Sequence, residues 1–397
     1  MGFSIAYLII ILLTCLSFTQ MEDSENNPVQ LLSQMGVAVL FLAAVWKSLR
    51  RPAVPSLLKV WLVGIGLCLC GLFILPSYTF KSVMGDTREL FIPFALTFSS
   101  YYLLKFTPEQ FRRGFMVVAL CSILAVMYTV ANSGGFIVQD MYRAGVFKNQ
   151  TAPFYAQIGL ISLCLYLDRH RNVWDLLFLG AFIAAIVYCV VLRARTATFA
   201  TLGLAVIILW EKYHAKSLLI IPAVLIVVFG IWGDQLTNVL YASMVGHYDA
   251  TDIDSMTTGR ATRMADSLDF IYRHPLWGST VRDLTANTVW RNTYHNPHNY
   301  LVWKLVRYGL VYAVPFIMVY LAVLWNGIKL LRISWSRYQY VIMCLALAFL
   351  TSLSEYSAPF GPGTSWVICY CLLGSALRSS GEQTGNAVLL NEHAMLQ

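Results

Sequence analysis

Charged side chains are scarce in this sequence. They make up only 12% of its 397 residues, about half the share that soluble domains carry. The mean hydropathy of +0.63 comes from continuous apolar runs rather than from the alternating pattern of a transmembrane barrel strand. About 20 apolar residues cross the hydrocarbon layer as a helix. The composition therefore excludes a soluble domain and a membrane barrel, and it predicts an all-α integral membrane protein.

Cysteine is missing from the longest polar stretch, residues 233–307. All nine cysteines fall in apolar segments, where a thiol acts as a small buried hydrophobe. This distribution argues against a disulfide framework and against a cysteine-based metal site. The first apolar run, 4–18, has no basic residue ahead of it and no A-x-A cleavage site, so we expect a retained span rather than a signal peptide.

Twelve apolar runs predict about twelve transmembrane helices. They lie at 4–19, 30–46, 54–75, 88–104, 114–132, 154–167, 175–192, 196–210, 217–232, 308–325, 338–356 and 364–377. The chain is thus divided into membrane helices 1–9 at 1–232, one large external loop at 233–307, membrane helices 10–12 at 308–378, and a tail at 379–397 that is expected to be disordered.

The large loop itself has two predicted features. An amphipathic helix is expected to have an apolar face formed by Met264, Leu268, Ile271 and Tyr272. The stretch 299–307, which carries Lys304, is expected to lie partly at the membrane interface before the next span begins.

Basic residues are distributed unevenly between alternate short loops. One set of loops holds 14 lysines and arginines, and the other set holds 6. Cytoplasmic loops carry the excess of positive charge, so both termini are predicted to be cytoplasmic and the large loop external, which in a bacterium means periplasmic. The net charge of +8 is therefore a topology signal, and no nucleic-acid partner is expected.

Two arginines occupy a short external turn, Arg193 and Arg195. Burying arginine near a membrane is costly. The alternative to a functional role is snorkelling to lipid phosphate. An anion site is favoured, because two guanidinium groups share a connection of a few residues and each can bind phosphate oxygens bidentately.

A third arginine, Arg260, follows a Thr-Gly turn at the start of the predicted amphipathic helix. Its charge could add to the dipole of the helix N-terminus, although on spacing alone a solvated loop arginine is the favoured interpretation. On the same helix, Arg263 and Arg273 are expected to be solvated or paired with Asp266 and Asp269.

Two histidines, His295 and His298, stand where the large loop re-enters the membrane. Histidine can act as a general base near neutral pH. A zinc site needs a third protein ligand, and no matching histidine or cysteine is present outside, so no metal site is predicted here. Three nearby aspartates could hold a hard cation, but a solvated acidic loop is favoured for Asp249, Asp252 and Asp254.

Taken together, these external groups indicate one kind of ligand. Several arginines, including Arg143 in a separate external loop, share a side of the membrane with a histidine at its edge. An anionic head group embedded in the membrane would explain that pattern. The natural candidate is a lipid-linked diphosphate.

At these residues the chain resembles the O-antigen ligase and O-antigen polymerase superfamily of bacterial envelope glycan transferases. The resemblance is carried by five short segments: Ala194-Arg195-Thr196, Thr258-Gly259-Arg260, His274-Pro275-Leu276-Trp277-Gly278, His298-Asn299-x-Leu301 followed by Gly309, and Arg143-x-Gly145-x-Phe147. The predicted span count and the late external loop agree with it. The fold implied is that of a GT-C-like membrane glycosyltransferase.

The activity implied by the resemblance is transfer of a glycan from undecaprenyl diphosphate to a sugar hydroxyl, without metal or cofactor and with inversion. His298 would be the general base, and Arg195 and Arg260 would stabilise the leaving diphosphate. The remaining substrate-binding residues would be Arg193, Arg143, His295 and Asn299. His295 departs from the family spacing, because it stands three residues before His298 instead of two.

The function predicted is that of an O-antigen ligase of the bacterial inner membrane. Its acceptor would be lipid A–core, its donor a glycan on undecaprenyl diphosphate, and its surroundings membrane lipid. The nearest alternative is an O-antigen polymerase, whose acceptor is a second lipid-linked glycan. A transporter of lipid-linked oligosaccharides is a further alternative, although the sequence has no internal repeat of the kind such transporters often show.

Overall fold

The computed structural model describes most of the predicted membrane region and parts of the large loop. The described residues are 5–17, 28–50, 54–74, 80–105, 107–132, 148–168, 172–192, 194–216, 260–280, 297–355, 358–361 and 366–395. No strand occurs among them. The prediction of an all-helical chain is confirmed for this part of the protein.

The described residues form α-helices of very different lengths. In chain order they are α1 Ile5–Ser17, α2 Pro28–Ser48, α3 Ser56–Ile74, α4 Phe80–Leu103, α5 Pro108–Asn132, α6 Lys148–Leu167, α7 Leu176–Val191, α8 Arg195–Tyr213, α9 Arg260–Arg273, α10 Tyr300–Ile333, α11 Trp335–Ser352 and α12 Val367–Met395. Helices occur at every predicted span except 217–232, which lies outside the described residues.

Four helical segments are long and apolar enough to cross a membrane. They are Leu31–Ser48, Pro108–Ala131, Val173–Val191 and Tyr300–Ile333, and three shorter apolar helices accompany them at Ile5–Ser17, Ser56–Cys70 and Thr151–Leu167. An α-helical membrane protein is thus supported. The count of twelve spans stays a prediction.

One part of the bundle is built on α4, which contacts α2, α3 and α12. Small residues let membrane helices approach closely, and Gly374 of α12 does so here, since a Cβ at this position would lie 2.2 Å from the Thr97 carbonyl oxygen of α4. The buried Trp61 indole of α3 also contacts α4, because it donates a hydrogen bond to the Leu90 carbonyl at 3.1 Å. Close backbone approach and a satisfied polar ring atom together fix α4 in the bundle.

One end of the bundle is closed by polar contacts between helix termini. Arg112 of α5 forms an ion pair with Asp175 and donates to the Leu165 carbonyl of α6 at 2.7 Å. Asp168, just after α6, accepts hydrogen bonds from Gln339 at 2.8 Å and Tyr340 at 2.6 Å in α11. These contacts lie at the end that the sequence predicts to be cytoplasmic.

The long helix α10 is broken at Gly309, whose φ of 63° is left-handed. The break leaves the Leu310 and Val311 N–H groups without partners inside the helix, and they donate instead to the Pro275 and Leu276 carbonyls at 2.8 and 3.1 Å. A Cβ at Gly309 would lie 2.2 Å from the Leu276 oxygen. The His-Pro-Leu-Trp-Gly turn after α9 is therefore held against α10 by backbone hydrogen bonds, and this close contact needs glycine at 309.

The first segment of α10 is also fixed by a buried ion pair. Lys304 is 1% exposed, and its ammonium lies 2.6 Å from Glu89 Oε2 of α4. The same ammonium sits 4.3 Å from the centre of the Phe316 ring. Lys304 is therefore buried within the protein, because a carboxylate and an aromatic ring replace the water that an ammonium otherwise needs. The interfacial position of this stretch stays a prediction.

The amphipathic helix of the loop is confirmed as α9, and its predicted apolar face is turned outward instead of packing on the protein. Ser267 and Phe270 are buried, whereas Leu268 and Tyr272 are 53% and 86% exposed. The reason is that α9 packs against α10 through its charged and polar side, which faces the site described below.

At the other end of the chain, α12 continues as a helix to Met395, whereas the sequence predicts a disordered tail from 379. A helix that is already formed in the bundle can propagate, because each further residue adds a hydrogen bond without a new nucleation step.

Candidate active site

His298 stands at the entry to α10 with a strained backbone. Its φ is 53°, a left-handed conformation that is uncommon outside glycine, asparagine, aspartate and histidine. The next residue, Asn299, caps α10, because its side chain accepts the Val302 N–H at 3.1 Å. The Asn299 amide also donates to the Leu353 carbonyl at 3.3 Å. The cap and this second contact hold the imidazole in place, and such strain is often found at functional sites.

A buried carboxylate faces one nitrogen of the imidazole. Glu355 follows the end of α11 and is 5% exposed; its Oε2 lies 3.7 Å from His298 Nδ1. Its other oxygen, Oε1, is 3.4 Å from Arg260 Nη2. A second nitrogen of Arg260 donates to the Ser354 carbonyl at 3.1 Å. Arg260 and His298 are thus brought together by one carboxylate, as the resemblance implies for residues of one site.

The other nitrogen of His298 faces a guanidinium. Arg263 Nη1 lies 3.5 Å from His298 Nε2. The prediction that Arg263 is solvated or paired with an aspartate of its own helix is wrong, because α9 turns this side chain inward. The companion prediction is confirmed for Arg273, which pairs with Asp269 at 2.8 Å on the exposed side.

The start of α8 belongs to the same end of the bundle. Arg195 is the first residue of this helix and is partly buried. The hydroxyl of the next residue, Thr196, accepts a hydrogen bond from Ser354 Oγ at 2.7 Å. Ser354 directly precedes Glu355, so the turn that carries Arg195 abuts the segment that binds Arg260 and His298. A positive helix N-terminus adds to the cationic character of this region.

Two groups of this site were not predicted from the sequence, Glu355 and Arg263. Glu355 did leave a signal, since it is an ionisable residue inside the predicted span 338–356, and such residues commonly mark functional sites. Arg263 left no comparable signal, because the helical period does not specify which face of an amphipathic helix turns toward the protein.

The remaining predicted residues divide into two groups. Arg143, Arg193 and His295 lie outside the described residues, as do Asp249, Asp252 and Asp254. Asn299 is described, and its side chain is engaged with Val302 and Leu353; its role in substrate binding stays a prediction. Among the described residues, no three histidine, cysteine, aspartate or glutamate side chains are grouped so that they could hold a metal ion.

A helical membrane bundle with three arginines, a histidine and a carboxylate gathered at one end is suited to bind an anionic, membrane-embedded substrate. Residues 180–317 match the model of the O-antigen ligase family. The chain therefore carries an O-antigen ligase domain, and the resemblance to the O-antigen ligase and polymerase superfamily is confirmed. The matched segment is about a third of the chain and contains Arg195, Arg260 and His298; Glu355 lies beyond it. A comparison with curated proteins gave no match.

Proposed function

We propose that this protein is an O-antigen ligase, which transfers a glycan from undecaprenyl diphosphate to a sugar hydroxyl of lipid A–core on the periplasmic side of the inner membrane. The observation that carries the proposal is the placement of His298 between the Glu355 carboxylate and the Arg263 guanidinium, with Arg260 on the same carboxylate. A general base needs such an orienting partner, and a departing diphosphate needs such cations.

The proposed reaction is a single displacement. The acceptor hydroxyl loses its proton to His298 Nε2 as its oxygen attacks the anomeric carbon of the donor sugar. The bond between that carbon and the diphosphate oxygen breaks, and undecaprenyl diphosphate departs with the bonding electrons. Attack opposite to the leaving group inverts the anomeric centre.

Each charged group has a role in this step. Nδ1 faces Glu355, whose negative charge stabilises the imidazolium that forms. Arg195 and Arg260 stabilise the charge developing on the diphosphate. Arg263 lies beside Nε2 in the structure without substrate, so the proposal requires the diphosphate to draw this guanidinium away and free Nε2 for the proton.

The test is a transfer assay with purified protein, a lipid-linked glycan and lipid A–core, with acceptor modification read on a gel. We expect His298→Gln to abolish transfer and to keep donor binding, because glutamine retains hydrogen bonding but cannot accept the proton. The matched control is His214→Gln, an exposed histidine at the far end of α8 from Arg195. Transfer at nearly the wild-type rate by His298→Gln would contradict the proposal.

The same assay separates the alternatives. A ligase attaches glycan to lipid A–core, whereas a polymerase lengthens the lipid-linked glycan even when lipid A–core is absent. A transporter moves the donor between leaflets and forms no covalent product.

Two conditions of the assay test the chemistry. Transfer should survive a chelator and need no added cation; loss that magnesium or manganese restores would instead assign the chemistry to Asp249, Asp252 and Asp254. The rate should also fall as the pH is lowered, because protonated imidazole cannot act as a base.

A further inference from the structure

Two of the faces of α9 are accounted for by the structure. One face turns toward the site and α10, and it includes Arg263 and the buried Ser267 and Phe270. A second face is polar and exposed, with the ion pair between Asp269 and Arg273 at 2.8 Å. An amphipathic helix at a protein surface needs no more than these two faces.

A third face of α9 is apolar and exposed. Leu268 is 53% exposed and Tyr272 is 86% exposed. The four-residue spacing continues beyond the helix to Leu276, which is 54% exposed, and the adjacent Trp277 is 39% exposed. These four residues form a row that we call the outer ridge. Large exposed apolar groups in a row mark an interaction surface rather than ordinary solvated positions.

The outer ridge is continuous with the exposed surface of α10. The backbone hydrogen bonds between the turn after α9 and α10 place the Pro275 and Leu276 carbonyls directly against the Leu310 and Val311 N–H groups. From this point a stripe of exposed apolar side chains follows α10 along its length: Leu310, Val314, Leu321 and Trp325. Since α10 is apolar and long enough to span a membrane, its exposed apolar stripe is a surface suited to lipid.

We propose that the outer ridge lies in the interfacial layer of the bilayer, so that α9 rests on the membrane instead of extending into water. Tyrosine and tryptophan favour this layer because their rings are apolar while their polar atoms stay hydrated. A helix in such a position buries its apolar face by about 5–10 Å into the boundary between head groups and acyl chains. Asp269 and Arg273 then point to water, and Arg263 points to the site.

This position has a consequence for the depth of the site. With the outer ridge in lipid, Arg260 and His298 lie close to the level of the head groups. A ligand whose charged group is carried by a lipid can then be bound without leaving the bilayer. The position of α9 itself is independent of the proposed function, because it rests on exposure and on backbone contacts alone.

The experiment uses single cysteines in the full-length protein reconstituted into phosphatidylcholine nanodiscs. Leu268→Cys and Tyr272→Cys sample the outer ridge, and Asp269→Cys is the matched control on the polar face of the same helix. The nine native cysteines are replaced by alanine in the parent chain, which gives the background. We expect a charged, membrane-impermeant maleimide to react about tenfold more slowly at 268 and 272 than at 269, because a charged reagent is disfavoured in the apolar layer.

A second readout identifies what covers the ridge. A bimane fluorophore attached at 268 or 272 should be quenched by phosphatidylcholine brominated on its acyl chains, and the same fluorophore at 269 should not be. Equal maleimide rates at the three positions would overturn the proposal, since the ridge would then be in water. Slow labelling without quenching by brominated lipid would also overturn it, since protein rather than lipid would then cover the ridge.

Discussion

At the residue scale, Glu355 joins the two groups on which the proposed chemistry depends. Its Oε1 contacts Arg260 and its Oε2 faces His298. Glu355→Gln preserves the shape and removes the charge, so the imidazolium formed during transfer would lose its stabilising partner. We expect kcat to fall by at least about tenfold, with donor binding little changed.

The control for this prediction is Glu355→Asp, which retains the charge with a shorter reach. It should recover part of the lost rate. If Glu355→Gln transferred glycan as fast as the wild type, the carboxylate would be structural only, and His298 would need another orienting group.

Arg260 carries a second prediction at this scale. Loss of one charge-assisted donor to a leaving group costs about 3 kcal/mol, or about a hundredfold in rate. Arg260→Ala should show this loss in the transfer assay. Arg260→Lys should recover only part of it, because lysine keeps the charge but not the two-pronged geometry.

The matched control is Arg273→Ala on the same helix. Arg273 forms an exposed ion pair, and such pairs contribute little, so nearly full activity is expected. An Arg260→Ala variant as active as this control would exclude Arg260 from the site and leave the leaving group to the other arginines, Arg195 first among them.

The residues of the site show what a sequence can and cannot predict. His298 is predicted because a histidine at the membrane edge can act as a general base. Arg260 is assigned to the site only by the family resemblance, because its spacing alone favours a solvated loop arginine. Their shared partner was not predicted, because Arg260 and Glu355 are 95 residues apart and no local pattern connects them. The sequence also does not show which side of α9 turns inward. Arg263 and Arg273 are both arginines with an aspartate three or four residues away on the same helix.

At the scale of helices, the contact between the turn after α9 and the break in α10 predicts a specific requirement for glycine. Gly309→Ala places a methyl group in conflict with the Leu276 carbonyl and strains a left-handed residue. A left-handed non-glycine residue alone costs about 1–3 kcal/mol. We therefore expect a clear drop in the thermal unfolding midpoint in detergent.

Gly203→Ala in α8 is the control, since nothing lies within 4 Å of its added Cβ. Alanine is about 1 kcal/mol better than glycine in a helix, so this variant should be as stable as the wild type or slightly more so. Equal unfolding midpoints for the two variants would mean that the contact between the turn and α10 does not require glycine at 309.

The ion pair between Lys304 and Glu89 gives the other prediction for helices. Glu89→Gln leaves a buried ammonium without its carboxylate, which costs about 3–5 kcal/mol. The double variant Glu89→Gln with Lys304→Met should recover much of that loss, because methionine packs against the same rings without a charge. The measurement is the thermal unfolding midpoint in detergent for the wild type, Glu89→Gln and the double variant. If Glu89→Gln is as stable as the wild type, the ion pair is not required for stability.

The helices also show what hydropathy leaves out near charged residues. The span predicted at 308–325 begins at the break of α10 at Gly309, but α10 as a whole begins at Tyr300, because a further helical segment precedes the break. Hydropathy counts Lys304 against the membrane, whereas the fold supplies Glu89 and an aromatic ring for it. Where no charge intervenes, as in 114–132, the predicted span lies within the observed helix α5 Pro108–Asn132.

At the scale of the whole molecule, the two ends of the bundle have different chemistry. One end contains Arg112, Asp168 and Asp175, which join helix termini to one another. The other end contains Arg260 and His298. The first end coincides with the loops that the 14 basic residues assign to the cytoplasm. A site at the opposite end is therefore predicted to face the periplasm.

Reporter fusions test this orientation. A reporter that is active only in the periplasm should give signal when fused after Asn27, Gly135 or Asp254. It should be silent when fused after Arg51, Arg113, Arg171 or Lys216.

The fusion after Asp254 is the decisive one. Asp254 lies between Lys216 and Arg260 in the sequence. The predicted topology places it on the same side of the membrane as the site. Signal there, with silence at Arg113 and Arg171, places Arg260 and His298 where a periplasmic acceptor can reach them. Silence at Asp254 together with signal at Arg113 would reverse the orientation. The site would then face the cytoplasm, where it could not reach a donor and an acceptor on the periplasmic side of the membrane. The ligase proposal would then fail.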